Sequence, residues 1–263
     1  MPKAVFRIRP LLAVVAWVLV PVLWAGCTGP SDADRLNEVI VMGMIHDTHR
    51  TSTLYGIDRI KQIVRRIDPD YILCEIPPDR IARATKEFRE TNTISEPRVR
   101  RFPEYVDAIF PLTRELSFEI VPCAGWTRAM ADDRAAKLKK WEKTRPADSR
   151  AVQAAEDRAD ALIEAEGMSE DPLKIHTDRY DAIVKEGLEP YNRLFNDDLG
   201  PGGWDNINAA HYGLIAEALD AHRGEGKRFL IMFGSWHKYW ILEKLRSRTD
   251  IRLISLIRFA QDR

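Results

Sequence analysis

The sequence predicts an α/β fold in which a mostly parallel central sheet is flanked by helices and interrupted by a long helical insert. Three observations lead there. The strand candidates are short, unbroken apolar runs, as expected of strands covered on both faces. Amphipathic helices alternate with them. About a hundred residues, 126–224, carry almost no strand signal and are rich in Ala, Glu, Lys, Arg and Asp. With 263 residues, 45% hydrophobic and 30% charged, the chain is neither a disordered tail nor a multi-span membrane protein. Lys+Arg and Asp+Glu balance at 40 each, without the basic excess of a nucleic-acid binder. Three cysteines exclude a disulfide scaffold.

The first strand, Val39-Ile40-Val41-Met42, ends at Gly43. A helix follows, with Leu54, Ile57, Ile60, Ile63, Val64 and Ile67 on one stripe and Arg59, Lys61, Arg65 and Arg66 opposite, stopped by Asp68-Pro69-Asp70. The second strand is Tyr71-Ile72-Leu73-Cys74, ending at Glu75. This βαβ unit predicts that the two strands are parallel neighbours. Pro77-Pro78 breaks the chain before a helix over Ile81 to Phe88, and a second helical region runs from Tyr105 to Leu116. Phe118-Glu119-Ile120-Val121 is the third strand, closed by Pro122. The insert holds helical stretches near Arg128–Glu142, Ala151–Glu166, Leu173–Phe195 and Ile207–His222, too much for a simple crossover. The sheet resumes with Phe229 to Phe233, ending at Gly234, and closes with Ile251 to Ile257 after a helix from Trp236. Cys74 and Cys123 lie inside strands; the favoured reading is a pair of buried, unbridged thiols, although an exported chain could join them.

The N-terminus reads as an export signal over residues 1–26. Lys3, Arg7 and Arg9 precede an uncharged run from Leu11 to Gly26, short for a membrane span but suited to a signal core. Ala25 and Gly26 then lead to Cys27, which resembles the lipidation site of a bacterial lipoprotein, with Trp24 where leucine is usual. The alternative is an uncleaved anchor. Residues 27–37 read as a lipidated polar tether to a domain over 38–263, which puts the protein at the cell envelope, on the periplasmic or extracellular face of a bacterial membrane. Cleavage would leave a net charge of −3, so the membrane contact would rest on the lipid.

The chemistry is expected where strands end. Gly43-Met44-Ile45-His46 closes the first strand and Gly234-Ser235-Trp236-His237 the fourth; chance gives roughly 0.3 such patterns in a chain with 14 glycines and 6 histidines. Ligands of parallel sheets bind outside the carboxyl ends of strands, where His46, Glu75 and His237 all fall. Two imidazoles and a carboxylate can hold a divalent metal: zinc, cobalt, nickel or iron, or manganese where water and oxygen complete the set. With three protein ligands, open positions remain for hydrolytic chemistry. Glu75 could instead pair with Arg80. His49 reads as solvent-facing on the turn or as a further ligand. Arg128, after Trp126-Thr127, either reaches the same sheet edge or stands exposed at a helix start.

These residues resemble the TraB/PrgY–TIKI superfamily, including its GumN-like members, in the two Gly-x-x-His motifs near the ends of the domain and in the strand ending in Glu75 with Arg80 after it. The family often has Arg-Asn before the second motif; here Ile207-Asn208 keeps only the asparagine. A hydroxyl residue after the first histidine is represented by Thr51 or Ser52. The resemblance implies a membrane-tethered, metal-dependent hydrolase or peptidase. His46, Glu75 and His237 would form the metal (Mn, Co or Zn) and catalytic centre, and Arg80 would serve orientation or bind a substrate carboxylate. Asn208, together with Arg128 from its own place after the third strand, completes the expected contacts to a peptide or small-molecule substrate. Related ChaN-like lipoproteins bind haem, for which Tyr180, Tyr191, Tyr212, His176 or His211 could supply an axial ligand. A non-catalytic surface binding protein is the third reading.

Overall fold

The computed structural model describes residues 35–261. The export signal over 1–26, the lipidation site at Cys27 and most of the tether lie outside the described residues. Within them the elements run β1 (Asn37–Met44), α1 (Ile57–Ile67), β2 (Tyr71–Cys74), α2 (Pro78–Thr91), α3 (Pro97–Arg100) and α4 (Phe110–Leu112), then β3 (Glu119–Pro122). The helical insert follows as α5 (Arg128–Thr144), α6 (Pro146–Ala165), α7 (Pro172–Ile175), α8 (Asp178–Leu199) and α9 (Trp204–Ala221). The chain ends with β4 (Arg228–Gly234), α10 (Lys238–Arg246), β5 (Ile251–Ile254) and α11 (Ile257–Ala260). No helix among the described residues is long and apolar enough to cross a membrane.

The five strands form one parallel sheet in the order β3-β2-β4-β1-β5. The expected adjacency of β1 and β2 is therefore corrected: β4 lies between them. Phe229 to Phe233 are all fully buried, and β4 pairs with β1 over seven positions, from Glu38 with Arg228 to Met44 with Gly234. A strand buried along all but its first residue belongs at the centre of a sheet, whatever its place in the chain.

Side-chain alternation sorts the core into two layers. Ile40, Met42, Met44, Ile72, Leu230 and Met232 face α1, the segment around Tyr105–Leu112, and parts of α6 and α8. Val39, Val41, Leu73, Phe229, Ile231 and Phe233 face α9 and α10. The insert thus covers both faces of the sheet, and a smaller cluster of Val152, Tyr191, Phe195 and Leu199 joins its own helices. A Cβ on Gly187 would stand 2.6 Å from the Cβ of Ala159, so α6 and α8 approach closely there.

Two local expectations change. Leu54 lies before α1 and is 57% exposed; Gly56 starts the helix, so the apolar stripe begins at Ile57. The region entered at Tyr105 opens with a π-helical stretch, Glu104–Ile109, before α4. Such widened turns recur at functional sites. Cys74 and Cys123 are free, buried thiols; burial pushes the Cys74 thiol up to about 12 and raises that of Cys123 as well.

Candidate active site at the carboxyl ends of the strands

The register of the sheet brings the three strand-end residues together. β2 and β1 flank β4, so Glu75 and His46 approach from either side of Gly234. The Gly234 N–H donates to Glu75 Oε2 at 2.8 Å. A Cβ there would come within 2.7 Å of His46 Nε2 and 3.5 Å of Glu75 Oε2, so glycine makes the convergence possible. His46 has φ of 49°, in the left-handed region that non-glycine residues seldom occupy and that recurs in functional turns. Ser235 N–H donates to Met44 O at 2.8 Å, so the two Gly-x-x-His turns lie side by side. Tyr105 ties the third side-chain source in place. Its hydroxyl accepts the Glu75 N–H and donates to Met232 O, each at 2.8 Å.

Both imidazoles are oriented by buried partners. His46 Nδ1 donates to Glu104 Oε1 at 2.8 Å, and Glu104 is fully buried. His237 Nδ1 donates to Asn208 Oδ1 at 2.8 Å; Asn208, fully buried, passes its own N–H to Trp204 O. Trp204 stacks on the His237 ring with centroids 4.5 Å apart. With both Nδ1 atoms occupied, the two Nε2 atoms face the Glu75 carboxylate. His46 Nε2 is 4.0 Å from Oε2 and His237 Nε2 is 4.0 Å from Oε1. These distances are too long for hydrogen bonds.

The electrostatics of the three groups diverge. Burial alone would push the His46 imidazole down, but the Glu104 hydrogen bond and the charges of Glu75 and Glu104 outweigh it and hold it above its ordinary value. Burial, with the neighbouring His211 and His46 adding to it, drives His237 well below. Burial raises the Glu75 carboxyl, against the opposing pull of His46 and the Gly234 N–H. Arg101 adds a positive charge that acts on both His46 and Glu75.

The other predicted residues are placed differently. Arg80 does not pair with Glu75; it lies 3.1 Å from Asp79 and 3.8 Å from Glu96. Asn208 sits behind His237 and orients it, and it lines neither of the two cavities that meet at His46. Arg128 does reach the sheet edge, where its Nε is 3.3 Å from Asp132. His49 is neither solvent-facing nor available as a ligand. It is buried, Nε2 accepts the Ile45 N–H at 3.0 Å, and Nδ1 donates to Tyr55 O at 2.6 Å. The 3₁₀ turn His46–Arg50 folds it inward as a latch. Thr51 and Ser52 close the same segment through Thr48 O and Tyr55 N–H.

Most of the proposed axial ligands are engaged elsewhere. His176 uses both nitrogens, donating to Pro172 O and accepting the Gly43 N–H at 2.8 Å. Tyr180 bonds Ser235 and Tyr191 accepts from Arg134. Tyr212 is 3.5 Å from Lys244 O. His211 accepts the Gly125 N–H on Nδ1, while its buried Nε2 has no hydrogen-bond partner.

Two cavities meet at His46. One, about 410 Å³, is lined by His46, Glu75, Phe102 and Trp126 and by the arginines at 98, 101, 128 and 134. The other, about 740 Å³, reaches His46 and His237 past Tyr180 and carries Asp160, Glu164 and Glu170. Sequence reading missed Glu104 and the arginines other than Arg128. Glu104 shares the mostly apolar run Phe102–Leu112 with Asp107, and the sequence does not say which of the two carboxylates turns inward to a partner. The arginines carry no signal either, because surface arginines are common.

Comparison with protein-family models, with curated proteins and with solved structures gave no match.

Proposed function

We propose that His46, Glu75 and His237 form the divalent-cation centre of a hydrolase acting on an amide or ester bond. One observation carries this reading. Groups from three strand ends converge: each imidazole Nε2 stands 4.0 Å from an oxygen of Glu75, beyond hydrogen-bond reach, while both imidazoles are turned that way by Glu104 and Asn208. Mutually repelling acceptors are held together favourably when a cation lies among them, and histidines with a bound Nδ1–H are the common form of such ligands. Among the described residues no three donors yet close round one point. Ligands of a tetrahedral ion lie about 3.3 Å apart at ordinary bond lengths, so each 4.0 Å pair must contract by about 0.7 Å.

A bound ion would lower the pKa of water and polarise the scissile carbonyl. The chain's own residues supply the rest. Burial raises the Glu75 carboxyl in the metal-free chain, and a bound ion would oppose that shift and hold the carboxylate ionised as its ligand. His237 stays neutral and offers Nε2 as a ligand. Glu104 holds His46 in the matching tautomer.

The test is elemental analysis of the purified full chain beside His46→Ala and His237→Ala, with turnover of an amide and ester panel. Stoichiometric metal in the parent alone, with turnover lost in both variants, is the expected result. Equal metal in all three proteins, or none in the parent, ends this reading.

A further inference from the structure

Building on the hydrolase reading, we infer that the substrate carries a carboxylate on the Glu75 side of the scissile bond, seated against Arg101, Arg98 and Arg128. The cavity that opens from His46 and Glu75 sets four guanidinium groups against two carboxylates, Glu75 and Asp132. Of the four, only Arg128 stands in an ion pair among the described residues. Arg98 donates to Trp126 O at 3.3 Å, Arg134 donates to Tyr191 Oη at 2.9 Å, and Arg101 lies over the Phe102 ring at 5.0 Å. Arg98 and Arg101 thus stand in no ion pair among the described residues, and guanidinium forks match carboxylate geometry. Arg101 lines the same wall as His46 and Glu75, and its charge acts on both.

The opposite cavity makes the choice directional. It shares His46 but carries Asp160, Glu164 and Glu170, with no lysine or arginine in its wall. An anionic group is repelled there and drawn to the arginine side. Among anions, a carboxylate is the one that an amide or ester substrate carries beside the scissile bond, and it matches the guanidinium fork. The substrate class is therefore a peptide or acyl-amino acid with a free carboxylate near the bond that is cut.

The experiment uses the full chain in two arms. In the first, calorimetry follows binding of N-acetylalanine and of its amide at low and raised salt. Saturable binding of the acid alone, weaker at raised salt, and weakened about tenfold by Arg101→Gln and further by Arg101→Gln with Arg128→Gln, is expected. Both positions are exposed, and unchanged circular dichroism verifies folding. In the second arm, mass spectrometry compares cleavage of tetra-alanine with a free and an amidated C-terminus; the free acid should be cut faster. Absence of acid binding, or acid binding that survives both arginine substitutions, overturns the inference, as does cleavage indifferent to the C-terminal charge. Arginine-dependent acid binding without cleavage of either peptide supports the cavity assignment while removing the hydrolase reading.

Discussion

The two Gly-x-x-His turns look alike in sequence and behave as opposites in the fold. The first, Gly43–His46, places its histidine partly exposed in a left-handed conformation, bonded to a carboxylate and shifted toward the protonated form. The second, Gly234–His237, leads straight into α10; its histidine is buried, bonded to a neutral amide, stacked on Trp204 and held neutral. A repeated motif therefore delivers two imidazoles to one place, and the groups behind them decide their charge. His46 can exchange a proton with an incoming cation, whereas His237 is a fixed neutral donor.

The largest expected effect breaks the second turn alone. Lys238, next to His237, is buried in an ion pair with Asp181 of α8. Removing one partner leaves an uncompensated buried charge, so Asp181→Ala should cost about 3–5 kcal/mol in urea unfolding. A loss below 1 kcal/mol would mean that water reaches Lys238. Gly234→Ala strikes both turns through the Cβ placed 2.7 Å from His46 Nε2. It should cost about 1–3 kcal/mol and lower metal content; a fully stable, fully loaded variant would show that the trio has more room than the geometry allows.

Exchanging the supports sharpens the contrast further. Glu104→Gln removes the carboxylate behind His46 and should weaken cation affinity about 10- to 100-fold. NMR titration of the metal-free chain checks the same point: His46 should titrate above 6.5 in the parent and fall in Glu104→Gln, while His237 should titrate well below 6.5 in both. An unchanged His46 titration would contradict the role given to Glu104.

The smallest effect is a pH slope set behind the first turn. Burial, with Lys238 nearby, drives His176 down to about 3. A histidine depressed in the folded state adds stability above its unfolded value, near 6.5, and that stability drains away as pH falls toward 3. At pH 5 the loss is about 2 kcal/mol. His176→Gln should lower stability at pH 7.5 by disturbing the hydrogen bond from the Gly43 N–H, yet lose about 2 kcal/mol less than the parent on going to pH 5. Parallel stability curves would count against a neutral His176. His46 has the reverse sign: its contribution is present below 6.5 and is lost as pH rises through its raised folded value.

Several features were legible in the residues themselves. Apolar runs closed by Gly43, Glu75 and Gly234 marked the strand ends, because a parallel strand needs a covered interior on both faces and must turn where it stops. The helical insert followed from composition and helix-period patterning, both local properties. Strand order did not follow, since pairing partners far apart in the chain are selected by how much surface each strand must bury. This put β4 between β1 and β2. The fate of His49, the inward turn of Glu104, the withdrawal of Arg80 toward Asp79 and Glu96, and the gathering of arginines from two segments were decided only in three dimensions. A side chain's charge and reach depend on neighbours that sequence distance does not reveal, and burial sets the energy of every polar group among them.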